Sequence, residues 1–182
     1  MRTALTSAAG LAVAALTLSH LAPASADAIN AEDPADFDHG VDLRSVEVDH
    51  RSANVVVTTT HKNLQPSYRT GSSGSVFLDT DPLDPGPEYV FVGGYFAGTD
   101  YILVSTDGFD HEKWGEPVGA SYRMTVDYDL DQVRLRISRD AIGSPEQVRV
   151  AVRVGGTRSD GTSVGLVDWL GEPRSFTEWA AQ

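Results

Sequence analysis

The stretch Gln147-Val148-Arg149-Val150-Ala151-Val152-Arg153-Val154 decides the fold. Valine recurs at every second position across it. Successive side chains of a β-strand point to opposite faces, so Val148, Val150, Val152 and Val154 form one apolar face. Arg149 and Arg153 then lie on the face turned to water. A helix would scatter the same valines around its circumference, and valine's branched Cβ favours extended backbone.

The same period of two recurs on the N-terminal side of that stretch. Residues 41–48 and 54–61 read as a first pair of strands, joined by the polar turn Asp49-His50-Arg51-Ser52. Residues 75–80, 89–95 and 100–105 follow, and Gly71-Ser72-Ser73-Gly74-Ser75 has the composition of a flexible loop before a strand. Residues 122–128 place Tyr122, Met124, Val126 and Tyr128 on one face, and 132–138 alternate Val133, Leu135 and Ile137 with Arg134 and Arg136. Helix signals are confined to one turn at 138–142, ended by Gly143 and Pro145. Residues 164–180 read as a last strand and tail that tuck Trp169, Phe176 and Trp179 against the sheet. Short strands at this spacing predict an all-β chain: an antiparallel β-sandwich, jelly-roll or immunoglobulin-like, of about eight or nine strands.

The N-terminus has the pattern of a cleavable export signal. Arg2 is the only charged residue before Asp27, residues 8–18 are apolar or small, and Ala24-Ser25-Ala26 offers small side chains to a signal peptidase. The expected organisation is a signal peptide at 1–26, an acidic tail or first loop at 27–40, and a single domain at 41–182. The expected location is outside the cell. There is no cysteine, so no disulfide supports the fold. With 26 acidic against 14 basic residues and a net charge of −12, the chain repels nucleic acid and anionic membranes. Divalent cations, proteins and neutral glycans remain as partners.

The densest group of acids is Asp79, Asp81, Asp84 and Glu88, in a proline-rich turn between two strands. Such carboxylates suit calcium, which takes oxygen ligands, although the spacing is not that of an EF-hand. An empty acidic turn is the competing reading. Asp36, Asp38 and Asp42 form a second acidic group. His39, His50, His61 and His111 have no zinc-site spacing and read as surface or turn residues. No nucleophile motif or phosphate loop is present, so a hydrolase would need a site assembled from dispersed residues. Among the aromatics, Tyr95, Phe96 and Trp114 lie near loops and are the candidates for a ligand-stacking patch, with core packing as the alternative.

The opening Val41-Asp42-Leu43, the valine-rich second strand, and Val76-Phe77-Leu78-Asp79-Thr80-Asp81 running into Gly86-Pro87-Glu88-Tyr89 resemble exported bacterial sandwiches of the DOMON and family-9 carbohydrate-binding-module group. The likeness spans most of residues 37–156. It implies a sandwich that binds sugars or other small ligands, sometimes with structural calcium. The paired tryptophan clamp common in such modules has no counterpart that can be placed, and neither His61 nor Met124 is assigned as a haem ligand. The expected function is therefore a secreted, non-enzymatic binding module, calcium-stabilised, that recognises extracellular glycan or protein. The alternatives are a small secreted hydrolase and a secreted protease inhibitor presenting residues 107–119.

Overall fold

The structure, a computed structural model, describes residues 28–158, 162 and 164–182; the expected signal peptide lies outside them. Among the described residues, twelve strands form two antiparallel sheets. One sheet holds five strands: β1 (Ala28–Glu32), β2 (Leu43–His50), β3 (Asn54–His61), β8 (Tyr122–Asp127) and β9 (Gln132–Ser138), in the order β1-β2-β3-β9-β8. The other holds β4 (Ser72–Asp79), β5 (Tyr89–Gly94), β6 (Tyr101–Thr106), β7 (Trp114–Pro117), β10 (Gln147–Thr157) and β11 (Gly165–Trp169), in the order β11-β10-β4-β5-β6-β7. A two-residue strand, β12 (Ala180–Ala181), adds to the start of β10. The only helical elements among the described residues are 3-10 turns at His111–Lys113 and Arg139–Ile142. The second turn ends as expected at Gly143, whose φ of 78° suits a residue without a side chain.

The valines of β10 close the core. Val148, Val150, Val152 and Val154 are all fully buried, in one cluster with Val76 and Leu78 of β4 and Phe91 of β5. From the five-stranded sheet, Val46, Val48, Val55, Val57, Val133, Leu135 and Ile137 join the same cluster. Each fully buried valine contributes about 1.5 kcal/mol or more of transfer free energy. This is a two-sheet sandwich, as expected.

The strand count exceeds the expected eight or nine because the extra strands carry little pattern. Residues 27–40 were expected as a tail or loop, yet β1 pairs with β2 from Ala28↔Asp49 to Glu32↔Ser45. Its alternation consists only of half-buried Ile29 and Ala31, too weak to read. The segment beginning at Gly71 is strand rather than flexible loop from Ser72 onward. A Cβ at Gly74 would overlap the Tyr95 ring, so the glycine there makes room for packing and is not a sign of flexibility. Asp49 and His50 belong to β2, not to a turn.

A further difference concerns β10 itself. Arg149 and Arg153 do not face open water: both are half-buried, and Ala151 between them is completely buried. β4 is buried on both faces from Gly74 to Asp79. Something covers the outward side of the seven-stranded sheet, and its cover is where the site lies.

Candidate functional site

Residues directly paired across antiparallel strands share a face, so the register lays out the outward side of the seven-stranded sheet in rows. The first row is Arg149 with Asp79. The second is Ala151, Phe77, Val90 and Val104. The third runs Trp169, Arg153, Ser75, Val92 and Ile102 across five strands. The fourth is Val167, Gly155, Ser73 and Gly94.

The first two rows are covered. Phe77, Val90, Val104 and Ala151 form a second apolar cluster, separate from the main core, beneath Phe109, Trp114, Trp169 and Phe176. Phe109 and Trp114 come from residues 107–114, Phe176 from the C-terminal segment. The Arg149 guanidinium forks onto Asp79 Oδ2 at 2.9 and 2.7 Å, and Asp79 is fully buried. Arg149 also lies 4.8 Å from the Phe176 ring centre and 4.6 Å from that of Trp179. Its charge is fully engaged.

The last two rows are open. Phe77, Phe109, Trp114 and Trp169 wall a cavity of about 400 Å³, with Ser75, Arg153, Asp110, His111 and Arg174 as its polar lining. The Trp169 ring stacks on Phe77 at 6.1 Å and 14°, and His111 lies 4.8 Å from Trp114. Beside it on the same face, Ser73, Val92, Gly94 and Ile102, together with Phe96 and the core-side Tyr101 at the edge, line a broader, mostly apolar groove of about 620 Å³. Ser75 borders the first space and Ser73, one row further, the second. Both volumes fall in the range of small-ligand sites, about 300–1,000 Å³.

The structure treats the three expected aromatic positions differently. Trp114 forms a cavity wall and Phe96 borders the groove. Tyr95 is only 1% exposed, with its ring 5.3 Å from His61 in the core, so it is no ligand platform. Arg153, Ser75 and Trp169, which complete the cavity, were not singled out from the sequence.

The acidic turn also takes shape. Asp79 is held by Arg149, Glu88 accepts from the Thr80 N–H at 2.6 Å and hydroxyl at 2.9 Å, and Asp81 accepts from the Leu83 N–H at 2.9 Å. Burial raises the Glu88 pKa, the Thr80 donors oppose the rise, and the Asp79 charge adds to it. Among the described residues, the one group of three acids whose oxygens come within 4.8 Å of one another is Asp33, Asp36 and Asp168, not this turn. Asp168 accepts from the Leu43 and Trp169 N–H groups, Asp33 from Gly171, and neighbouring Asp42 from Asp36 and Phe37. These carboxylates staple the first segment to β11. Burial pushes the Asp33 and Asp168 carboxyls up, their backbone donors oppose this, and neighbouring aspartates add to the rise.

Three histidines expected at the surface are interior: His39 is 7%, His50 0% and His61 3% exposed. His50 bonds the Ala180 carbonyl and His61 the Thr59 hydroxyl. Burial drives His61 down to about 4, against the pull of Asp131. Strand alternation sets the positions of His50 and His61, whereas His39 lies in the turn before β2. Among the described histidines only His111 is exposed, at the cavity.

Fold and site together define a two-sheet β-sandwich with one aromatic-walled outward face. No protein-family model matches the chain, and no curated protein matches it.

Proposed function

We propose that the protein is an exported, non-enzymatic binding module that holds a glycan against the open half of the seven-stranded sheet. Supporting this reading is one observation above all. Trp114, Trp169 and Phe77 wall a cleft that adjoins a floor of small and aliphatic side chains, Ser73, Gly94, Val92 and Ile102. Rings of this kind stack on the apolar faces of sugars, while Ser75 and Arg153 offer polar contacts that set orientation. Export rests on the signal-like residues 1–26. The test is retention of the full chain on a panel of insoluble polysaccharides. Trp114→Ala is expected to abolish retention with the fold intact by circular dichroism; unchanged retention rejects the cleft as the site.

A hydrolase is the second reading, favoured by one observation: Ser75, His111 and Asp110 line the same cavity. Nucleophilic catalysis requires hydrogen bonds linking such groups. Here Asp110 is engaged by Arg174 at 2.6 Å and His111 lies against Trp114. Turnover of an ester or glycoside panel that Ser75→Ala abolishes would establish it. Protease inhibition by residues 107–119 is disfavoured, because Phe109 and Trp114 fold onto the sheet. Calcium at Asp79, Asp81, Asp84 and Glu88 is tested by melting the full chain with calcium and with a chelator. Calcium at a hundred times its Kd adds roughly 2.7 kcal/mol, and coincident curves remove it from the reading.

A further inference from the structure

Two residues of the cleft, Arg153 and Trp114, carry side-chain donors that have no acceptor among the described residues. The Arg153 side chain enters no hydrogen bond, ion pair or ring contact among the described residues, and it is half-buried. A guanidinium carries five N–H donors and loses free energy when it is desolvated without acceptors. Trp114, a wall of the same cavity, has its indole Nε1 buried without a partner. Ser75, the cross-strand neighbour of Arg153, adds a hydroxyl.

The neighbouring charges leave Arg153 uncompensated. Arg174 is tied to Asp110, the one acid lining the cavity, at 2.6 Å. Arg149, four residues earlier on the same face, is tied to Asp79 at 2.7 Å. A chain of net charge −12 with 26 acids therefore leaves one half-buried arginine, between aromatic walls, without an acid. The acids elsewhere are screened over about 8 Å at physiological salt, so the local guanidinium decides what enters.

Resting on the reading of this cleft as a binding site, we propose that it selects a ring compound bearing a carboxylate. The ring stacks between Trp114 and Trp169, and the carboxylate receives the forked N–H donors of Arg153, with the Ser75 hydroxyl as a further donor. A planar guanidinium matches a carboxylate in two parallel hydrogen bonds, which a neutral hydroxyl cannot reproduce. Acidic sugars and aromatic acids share this chemistry.

The experiment is titration calorimetry of the full chain with two probe pairs: galacturonate oligosaccharides against their methyl esters, and benzoate against methyl benzoate. Esterification removes the charge and keeps the ring. At least one acid is expected to bind roughly ten- to a hundredfold more tightly than its ester. The pair that shows this preference distinguishes a sugar acid from an aromatic acid. Arg153→Gln is expected to bring acid and ester to the same affinity while melting like the wild type, because Arg153 has no partner to lose. Arg134→Gln, at an exposed position of β9 in the other sheet, is expected to keep the preference. Equal binding of acid and ester by the wild type, or a preference that survives Arg153→Gln, overturns the carboxylate assignment. The cleft still stands as a site in that case if Trp114→Ala weakens both ligands. No binding of any probe at millimolar concentration overturns the carboxylate assignment, and if polysaccharide retention is also absent the binding reading falls with it.

Discussion

Arg149 and Arg153 sit on one strand and one face, two periods of the alternation apart with Ala151 between them, yet they belong to different kinds of surface. Around Arg149 the face is finished: a buried carboxylate takes the charge, two rings cover it, and Ala151 beside it is sealed. Around Arg153 the face is unfinished: the rings stand as walls rather than a lid, and the guanidinium has no partner among the described residues. The covered half is packed shut, and the open half is where the proposed ligand site lies.

This contrast can be broken by substitution. The largest effect is expected at the covered end. Asp79→Ala strands a half-buried arginine and is expected to cost about 3 kcal/mol in urea denaturation, as the loss of one partner of a buried pair does. A cost under about 0.5 kcal/mol would mean that the two ends do not differ.

Acid is expected to attack the interior of the sandwich before the cleft. His61 stays neutral in the fold to about pH 4, whereas the unfolded chain takes up its proton near 6.5. The linked stability is present above 6.5 and is lost as pH falls toward 4, by an amount of the order of 3 kcal/mol. Asp33 and Asp168 act oppositely: with raised pKa values they favour the fold as pH falls and disfavour it as pH rises through those values. Melting curves from pH 7 to 4 are expected to decline, and His61→Asn to flatten the decline. A parallel decline in the variant would reject His61 as its source.

Smaller effects are expected at the open end. Trp114→Ala removes a wall shared with Phe77 and is expected to cost about 1–2 kcal/mol of stability by thermal melting, with a far larger loss of ligand. Arg153→Gln is expected to change stability by less than about 0.5 kcal/mol in the same assay. A large destabilisation there would show that Arg153 is a structural residue after all.

The halves also differ in how legible they were. The valines of β10 announce the inner face, because strand period is a local property that the core then rewards. What covers the outer face depends on segments distant in sequence. Asp79 lies 70 residues from its arginine, so in the sequence it reads as one of four acids around a cation. Trp169 meets Arg153 only through the register of β10 with β11. Trp114 was legible as an aromatic in a polar stretch, and the structure gives it a cavity to line. Tyr95 looked equivalent, but Gly74 leaves room for its ring inside, a fit visible only once β4 and the residues after β5 are side by side.

The central claim, that the open half of the seven-stranded sheet binds a ligand, is tested most directly by affinity electrophoresis. Wild type and Trp114→Ala are run side by side through native gels cast with neutral and with acidic polysaccharides. The account predicts that the wild type is retarded by at least one polysaccharide and that Trp114→Ala runs as in a plain gel. Identical mobility of the two proteins in every gel would contradict it.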